Sequence, residues 1–497
     1  MTNKKHHAQA LAVWGTTSDA GKSLVAAGLC RLLKDMRYRV APFKAQNMSL
    51  NSAVTVDGGE IGRAQACQAE ACGIPPTVDM NPLLLKPTGE TCSQVVLRGR
   101  PNGMVGGDFG MGRIDEFKSV IAESYDRLAE SSDIIVIEGA GSCAELNLRE
   151  RDLANAWISE YSDAKVLLVA DIERGGVFAS LLGTLDLLKP NERARVVGII
   201  VNKFRGAIEL FDSGRTLLEE RSGVPVLGVL PYMLNHGLPD EDGSFQYRPF
   251  HTNTDELKGK IHVGVIVPQH IANATDFDAL SRDTRFVVSY LYQPVTENNL
   301  DILVLPGSKN VISDLIGLRK AGFAEFLKRH AASNKLIIGI CGGYQMLGER
   351  ILDPDKVEGH VPVCPGFGSL NIETRLFSEK CTVQVEGRLR AGNARVFGYE
   401  IHCGKTSGPD TEEPLLRVTH RQDAPVSLTD GAVSPDGNIW GTYVHGLFDS
   451  EEVRDVLAQR FGITETNVSD IVDSYDYIGQ KMKEHLNIPY LLERLGI

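Results

Sequence analysis

Long apolar runs are absent from this chain. No stretch of about 18 apolar residues, the length a membrane span requires, occurs in its 497 residues. The opening segment, Met1 to Gln9, is polar and basic and lacks the apolar centre of a secretory signal. Together these lead to the expectation of a cytoplasmic protein with no membrane partner. Paired-cysteine motifs are absent as well. The nine cysteines are odd in number and scattered, with no C-x-x-C spacing, so neither a disulfide framework nor a zinc site is written into the sequence. Excess positive charge is also missing: 52 Lys and Arg stand against 64 Asp and Glu, a net charge of -12. That argues against nucleic acid as the main partner, because duplex binding wants a basic face. An anionic substrate would need cations gathered locally. Internal repeats and low-complexity tracts are not found.

What is present is an ordinary globular composition, 42% apolar and 23% charged. The length exceeds what one core usually supports, so two or three domains are expected. The segment Tyr232 to Lys260 loses the apolar pattern, with Leu238-Pro239-Asp240-Glu241-Asp242-Gly243 followed by a polar stretch from His251. A boundary placed there divides the chain into domains at 1–250 and 251–450, with a largely helical tail at 451–497.

The first half is organised around Gly15-Thr16-Thr17-Ser18-Asp19-Ala20-Gly21-Lys22-Ser23, which lies between the apolar run Ala10 to Val13 and a helical pattern from Leu24 to Leu33. Strand, glycine loop and helix in that order can wrap a polyphosphate with backbone N–H groups. Lys22 would reach the outer phosphates and the Ser23 hydroxyl would bind Mg2+. The loop is irregular: five residues separate Gly15 from Gly21 where the regular pattern has four, and Thr16 stands where glycine is expected. A second strand, Tyr38 to Phe43, ends in the polar cluster Lys44 to Asn51, which includes Gln46 and Asn47. That is where open parallel sheets bind ligands, although a solvated loop reads the same way. Arg63 and Lys86 are either substrate cations or surface charges. The apolar run from Asp133 closes on Glu138-Gly139-Ala140-Gly141, the form of a buried parallel strand delivering a carboxylate that could hold Mg2+ beside the phosphates. Further strands at Lys165 to Ala170, Val196 to Val201 and Val226 to Leu230 run into loops carrying Arg174, Asn202 and Arg205. The Asn202 amide can donate to and accept from a purine edge. Strands alternating with helical stretches make this half a doubly wound α/β domain.

In the second half, a strand from Lys335 runs into Cys341-Gly342-Gly343-Tyr344-Gln345, where glycines permit a tight elbow and a helix leaves. Such an elbow lifts the cysteine clear of the sheet as a nucleophile candidate. Trp440 to Phe448 supplies a base, His445, at another strand end. Earlier strands are Ile261 to Val267 and Asp301 to Leu305, the latter followed by Gly307 and Ser308.

The loop spelling Gly-Thr-x-x-x-x-Gly-Lys-Ser resembles the deviant phosphate loops of the dethiobiotin synthetase and partition-ATPase group, which leaves enzyme and cytoskeletal switch both open. Gly339-x-Cys341-x-Gly343-x-Gln345 with His445 resembles a class I glutamine amidotransferase domain. That resemblance implies nucleophilic attack by Cys341 on a glutamine carboxamide, proton transfer by His445, and a glutamine and oxyanion site around Gly307, Ser308, Gly342 and Gln345. Usual members of that class carry His-x-Pro-Glu, whereas Leu447 and Phe448 follow here, so that acid is missing. The departure is similar to the cobalamin-pathway corrin amidotransferases, whose glutaminase lacks the carboxylate, and it bears on how strongly His445 is activated before an acceptor binds. Within that branch the strings Lys44 to Asn51, Gly59 to Gln65, Asn81 to Pro87, Asp171 to Phe178, Val201 to Gly206 and Gly398 to His402 resemble the cobyric acid synthase family. The related a,c-diamide synthases share the two-domain plan but differ at the loop after the second strand.

The resemblance implies a dethiobiotin-synthetase-like ATP-binding domain followed by a class I glutaminase. The activity implied is amidation of the b, d, e and g carboxylates of adenosylcobyrinic acid a,c-diamide through acyl phosphates, with ATP, Mg2+ and glutamine. ATP would contact Thr16, Gly21, Lys22, Ser23 and Asn202, and Mg2+ would lie at Ser23 and Glu138. The corrin carboxylates would meet Lys44, Gln46, Asn47, Arg63, Lys86, Arg174 and Arg205. Another glutamine-dependent carboxylate amidase is the alternative; a partition-type ATPase would have no use for Cys341 and His445. A homo-oligomeric state stays open.

Overall fold

The computed structural model describes residues 8–88, 91–106, 111–233, 236, 238, 257–296, 299–464 and 474–497. The chain forms two compact units. One comprises Met1–Ser49, Glu60–Gly243 and Ile471–Ile497, the other Leu50–Gly59 and Ser244–Asp470. The expected boundary near residue 250, and the acidic and polar segments 239–256 on which it rested, lie outside the described residues.

The first unit is built on a six-stranded parallel sheet: β1 (Gln9–Gly15), β2 (Val40–Phe43), β3 (Ile134–Glu138), β4 (Lys165–Asp171), β5 (Val196–Phe204) and β6 (Val226–Pro231). Their spatial order is β6-β5-β4-β1-β3-β2. The central strands read as continuous apolar runs because both faces are covered. In β3, Ile134 and Val136 face a cluster containing Leu29 and Leu33 of α1 (Lys22–Asp35), while Ile135 and Ile137 face the opposite cluster with Phe117 and Tyr125 of α3 (Ile114–Ser131). Between them in the chain α2 (Arg63–Cys72) packs beside α1, and α4 (Val177–Leu187) and α5 (Asp212–Ser222) follow β4 and β5. Register is fixed by the same alternation: Val13 pairs with Glu138 and Gly15 with Val169, so the loop after β1 and the end of β3 emerge at one sheet edge.

The segment expected as one helical tail, 451–497, divides. Glu451–Arg460 belongs to the second unit, whereas the helices Ser474–His485 and Ile488–Leu495 belong to the first. Ile478 and Met482 are fully buried against α1, and Asn487 N donates to Leu227 O of β6 at 2.8 Å. The close approach depends on Gly28. A Cβ there would lie 2.7 Å from Met482 Cγ and 2.8 Å from Ile478 Cγ2, distances no real contact shows.

In the second unit the parallel strands are β7 (Ile261–Ile266), β8 (Phe286–Leu291), β9 (Ile302–Leu305), β10 (Leu336–Ile340) and β15 (Ile439–Thr442), in the order β8-β7-β9-β10-β15. Against this stands an antiparallel layer that the sequence reading left unassigned. Its long strands are β11 (Glu373–Leu389), β12 (Arg395–Ser407), β13 (Leu416–Arg421) and β14 (Ala424–Asp430). Helix α6 (Val311–Lys320), α7 (Phe323–Ala332) and the short α8 (Gly342–Leu347) flank the parallel sheet. Among the described residues no helix is long and apolar enough to cross a membrane.

Replacing Gly28 by Val should lower the free energy of unfolding of the first unit by about 1–3 kcal/mol through overpacking, more than the roughly 0.5–1 kcal/mol gained by removing a helical glycine. Hydrogen exchange should report the change as faster exchange of the 474–495 amides, measured beside the urea midpoint.

Candidate active sites

In the first unit the loop after β1 enters α1 through Gly21, whose φ of 92° is left-handed. Lys22 is buried and its Nζ donates to Thr17 O at 3.2 Å. Ser23 Oγ donates to Glu138 Oε1 at 2.7 Å, so the hydroxyl after the loop lysine and the carboxylate ending β3 meet directly. Lys44 Nζ also reaches Oε1 at 2.7 Å, and the amides of Gln65 and Gln68, on α2, donate to Oε2 at 3.1 and 2.5 Å. Glu138 is completely buried. Burial alone would raise its pKa, but the Lys44 charge and the hydrogen bonds from Lys44, Ser23 and Gln68 outweigh it and hold the group below the ordinary carboxylate value. Asn47 Nδ2 donates to Gln65 Oε1 at 3.0 Å and so belongs to the same network.

Two buried polar atoms at the loop have no hydrogen-bond partner, Thr16 Oγ1 within it and Asn202 Oδ1 on β5 beside it. Asn202 Nδ2 donates to Ala20 O at 2.9 Å, which fixes the amide and leaves its oxygen as an acceptor beside the loop. These orphaned atoms, the buried lysine and the adjoining hard oxygens of Ser23 and Glu138 fit a nucleotide with Mg2+.

The other cations expected for substrate are placed differently from one another. Lys86 is buried in an ion pair with Glu60, 2.5 Å from Oε1. Arg63 is the first residue of α2, and Gln46 lies in a short strand beside Asn47. Arg174 and Arg205 occupy exposed loops after β4 and β5, paired with Asp19 at 3.4 Å and Glu173 at 2.6 Å. Lys203, which the sequence reading passed over, donates to Asp19 O at 2.5 Å and to Asp171 Oδ2 at 2.9 Å, tying the loop to β4.

In the second unit Cys341 sits between β10 and α8 with φ 51° and ψ -106°, a strained conformation for a residue with a side chain. Its thiol donates to Ile401 O at 3.4 Å. The turn is so tight that a Cβ at Gly342 would lie 2.8 Å from Ser308 N, which brings the elbow backbone against Gly307 and Ser308. Gln345 Nε2 donates to Tyr443 OH at 3.2 Å. His445 is buried, faces Cys341, and is stacked on Tyr399 with ring centroids 5.3 Å apart.

The acid expected to be missing is present, from elsewhere in the chain. Asp276 Oδ2 lies 2.7 Å from His445 Nδ1, and Oδ1 accepts from Gly446 N at 3.0 Å. Asp276 lies in a short turn, Ala274–Phe277, that follows β7 and is almost wholly buried. A search confined to the residues after His445 could not find it. The available signal was its position: it follows the C-terminal end of a strand in the same parallel sheet as β10 and β15, where functional loops converge. Burial disfavours the charged imidazole, but the Asp276 carboxylate and the Cys341 sulfur override it and raise the His445 pKa to about 10. A carboxylate on Nδ1 fixes the tautomer and orients Nε2 towards the thiol.

Asp276→Asn retains the shape and removes the charge. Glutamate release should fall by about 100-fold or more. The stabilising effect of the wild-type pair has a defined sign. A histidine raised from 6.5 to about 10 contributes stability that is complete below 6.5 and lost as pH rises through 10. Urea titrations of wild type and variant should therefore differ by about 2 kcal/mol near pH 6 and converge towards pH 10.

Comparison with known proteins covers both halves of the chain. Residues 11–241 match the CobQ/CobB/MinD/ParA nucleotide binding domain, and residues 262–453 match the CobB/CobQ-like glutamine amidotransferase domain. The cobyric acid synthase of Syntrophobacter fumaroxidans is 42% identical over 513 residues, covering 99% of each chain. That of Chlorobium phaeobacteroides is 43% identical over 500 residues, covering 99% of this chain and 98% of its own. That of Parabacteroides distasonis is 44% identical over 501 residues, covering 98% of this chain and 99% of its own. With similarity of that level over essentially the whole length, the chain belongs to the cobyric acid synthase family.

Proposed function

We propose that the protein amidates the b, d, e and g carboxylates of adenosylcobyrinic acid a,c-diamide to give adenosylcobyric acid, using ATP and ammonia from glutamine, in the cytoplasm. The observation that carries the reading is the presence in one chain of a Ser23–Glu138–Lys44 cluster at a phosphate loop and a Cys341–His445–Asp276 cluster at a nucleophile elbow. The first suits phosphoryl transfer and the second suits carboxamide hydrolysis. Relatives named cobyric acid synthase support the choice of acid.

In this reading residues 1–250 are the synthetase part and 251–450 the glutaminase part. A carboxylate is a poor electrophile at neutral pH, so a carboxylate oxygen of the corrin attacks the γ-phosphorus of ATP, ADP leaves, and an acyl phosphate forms. Lys22 steadies the charge on the transferred group, and Asn202 presents its free oxygen to the purine amino group. Ser23 and Glu138 would hold Mg2+, which would supply charge neutralisation during the transfer. Lys44, sharing Oε1 with Ser23, is placed to pass from Glu138 to the incoming carboxylate or phosphate oxygens, with Gln46 and Asn47 beside it. Arg63, Lys86, Arg174 and Arg205 complete the cation set. Lys86 would have to leave Glu60 to take part, which makes it the costliest of these assignments.

In the glutaminase, Cys341 Sγ, its proton already held on His445 Nε2, attacks the side-chain carbonyl carbon of glutamine. N–H groups at Gly307, Ser308 and Gly342 receive the developing oxyanion, and Gln345 contacts the substrate. His445 returns the proton to the leaving nitrogen, ammonia departs, and water hydrolyses the thioester to glutamate. The unprotonated ammonia attacks the acyl phosphate, the new amide forms and phosphate leaves.

The test is amide formation on cobyrinic acid a,c-diamide, followed by mass spectrometry with ATP and either glutamine or ammonium. Wild type should show stepwise single-amide mass shifts with either nitrogen source. Cys341→Ala should lose them with glutamine and keep them with ammonium. Absence of any shift in wild type would discard the corrin substrate, and shifts on cobyrinic acid itself at the a and c positions would favour an a,c-diamide synthase.

A further inference from the structure

The second unit contains ten residues, Leu50–Gly59, that the sequence brackets between elements of the first. They fasten onto the glutaminase cluster at two separate points. At the first, Asn51 Oδ1 accepts from Ala274 N at 2.9 Å while Asn273 Oδ1 accepts from Ser52 N at 2.8 Å. Two asparagines thus exchange side-chain-to-backbone hydrogen bonds across the entry to the turn that presents Asp276. Asn273 has φ 54° and ψ 46°, the left-handed conformation from which that turn begins. Ser52 and Asn273 are buried, so the bond between them forms away from competing water.

At the second point Val54 forms a small buried cluster with Tyr399 and Ile401. Tyr399 stacks on the His445 ring, and the Ile401 carbonyl accepts the Cys341 thiol. Gln384 Nε2 donates to Val54 O at 2.8 Å and Gln422 Nε2 donates to Val56 O at 3.0 Å, which fix the segment against β11 and the β13–β14 turn. One short segment therefore bears on the acid, the base and the nucleophile together.

We propose that Leu50–Gly59 is the positioning element of the glutaminase, with Asn51 holding the 273–276 turn so that Asp276 meets His445 and Val54 holding Tyr399 and Ile401 against His445 and Cys341. These are positioning residues, since none of them touches the substrate or the reacting atoms. The inference rests on the glutaminase reading above and adds a requirement to it: the site needs residues from a stretch that follows directly on Lys44, Gln46 and Asn47.

The experiment measures glutamate release by the full-length protein, with and without ATP and cobyrinic acid a,c-diamide, for wild type, Asn51→Ala, Asn51→Asp, Val54→Ala and Asp276→Asn. Asn51→Ala should lower kcat about 10- to 100-fold with glutamine KM within about twofold, and ammonium-dependent amidation should stay at the wild-type rate. Asn51→Asp, which keeps an acceptor for Ala274 N, should recover most of the loss. Adding Asn51→Ala to Asp276→Asn should cost less than about twofold more, since the two act on one contact. Val54→Ala should lower kcat in the same sense and be additive with Asp276→Asn. Glutamate release by Asn51→Ala within twofold of wild type overturns the proposal. So does a parallel fall of glutaminase and ammonium-dependent synthesis that Asn51→Asp fails to recover, the mark of a general structural defect. If wild type itself releases no glutamate, the glutaminase reading fails and this inference falls with it.

Discussion

A carboxylate taken wholly out of water has to be answered by donors, and two such groups organise this chain. Glu138 is answered fourfold, by Ser23 and Lys44 on one oxygen and by Gln65 and Gln68 on the other. Removing any of those donors would leave part of a buried charge uncompensated, at a cost of several kcal/mol for the lysine. The consequence is geometric as much as energetic. α1 begins at Lys22, α2 begins at Arg63, and the end of β2 leads to Lys44, so one carboxylate holds the starts of two helices and a strand end in fixed relation. Asp276 does the same on a smaller scale, with one oxygen on His445 and the other on the backbone of Gly446.

Both carboxylates lie where parallel sheets force them to lie. In a parallel sheet flanked by helices the strand interiors are apolar, so polar function collects at the loops following the strands' C-terminal ends. Glu138 closes β3 next to β1, whose loop supplies Lys22 and Ser23. Cys341 follows β10 and His445 follows β15, neighbours in the second sheet, while Asp276 follows β7, two strands from β10. The strain at Cys341 is sustained by the same packing. β10 is buried throughout, and the chain leaves it against Gly307 and Ser308 with no room to relax.

How much of this could be read from the residues follows from whether the information is local. Strand–loop–helix punctuation is local, and it is enough to place Lys22 and Ser23 at the start of the helix after β1 and Glu138, Cys341 and His445 at strand ends. Their meetings are not local. Nothing within ten residues of Glu138 announces Gln65 and Gln68, since helix α2 is brought to that carboxylate by its packing against α1 and β2. Asp276 was invisible for a related reason: its partner is 169 positions away, and the order of strands in the sheet, which brings the two loops together, is a property of the whole fold. The antiparallel layer β11–β14 escaped because its strands mix exposed and buried positions with irregular register, including shifts near Leu376 and Glu386, so the period-two pattern that marks a strand is interrupted. Lys86 carries the opposite lesson. Its type suggested an anion partner from outside the protein, and Glu60 supplies one from within.

The route by which the glutaminase obtains its acid explains the residues that stand in the usual place for it. Leu447 and Phe448 are completely buried in the apolar cluster beneath β7 and β9. A carboxylate at either position would enter that cluster without donors, and its desolvation would exceed what a hydrogen bond to His445 could return. Phe448 instead packs against Phe277, ring centroids 6.2 Å apart, and Phe277 is the residue next to Asp276. The apolar contact therefore seats the 274–277 turn, and the turn delivers its carboxylate to Nδ1 from the side where Gly446 N provides a second donor. The acid and the packing that replaces the acid come from the same two adjoining residues. That makes the loss of His-x-Pro-Glu a relocation of the charge, with the orientation of the imidazole now dependent on everything that fixes the turn after β7.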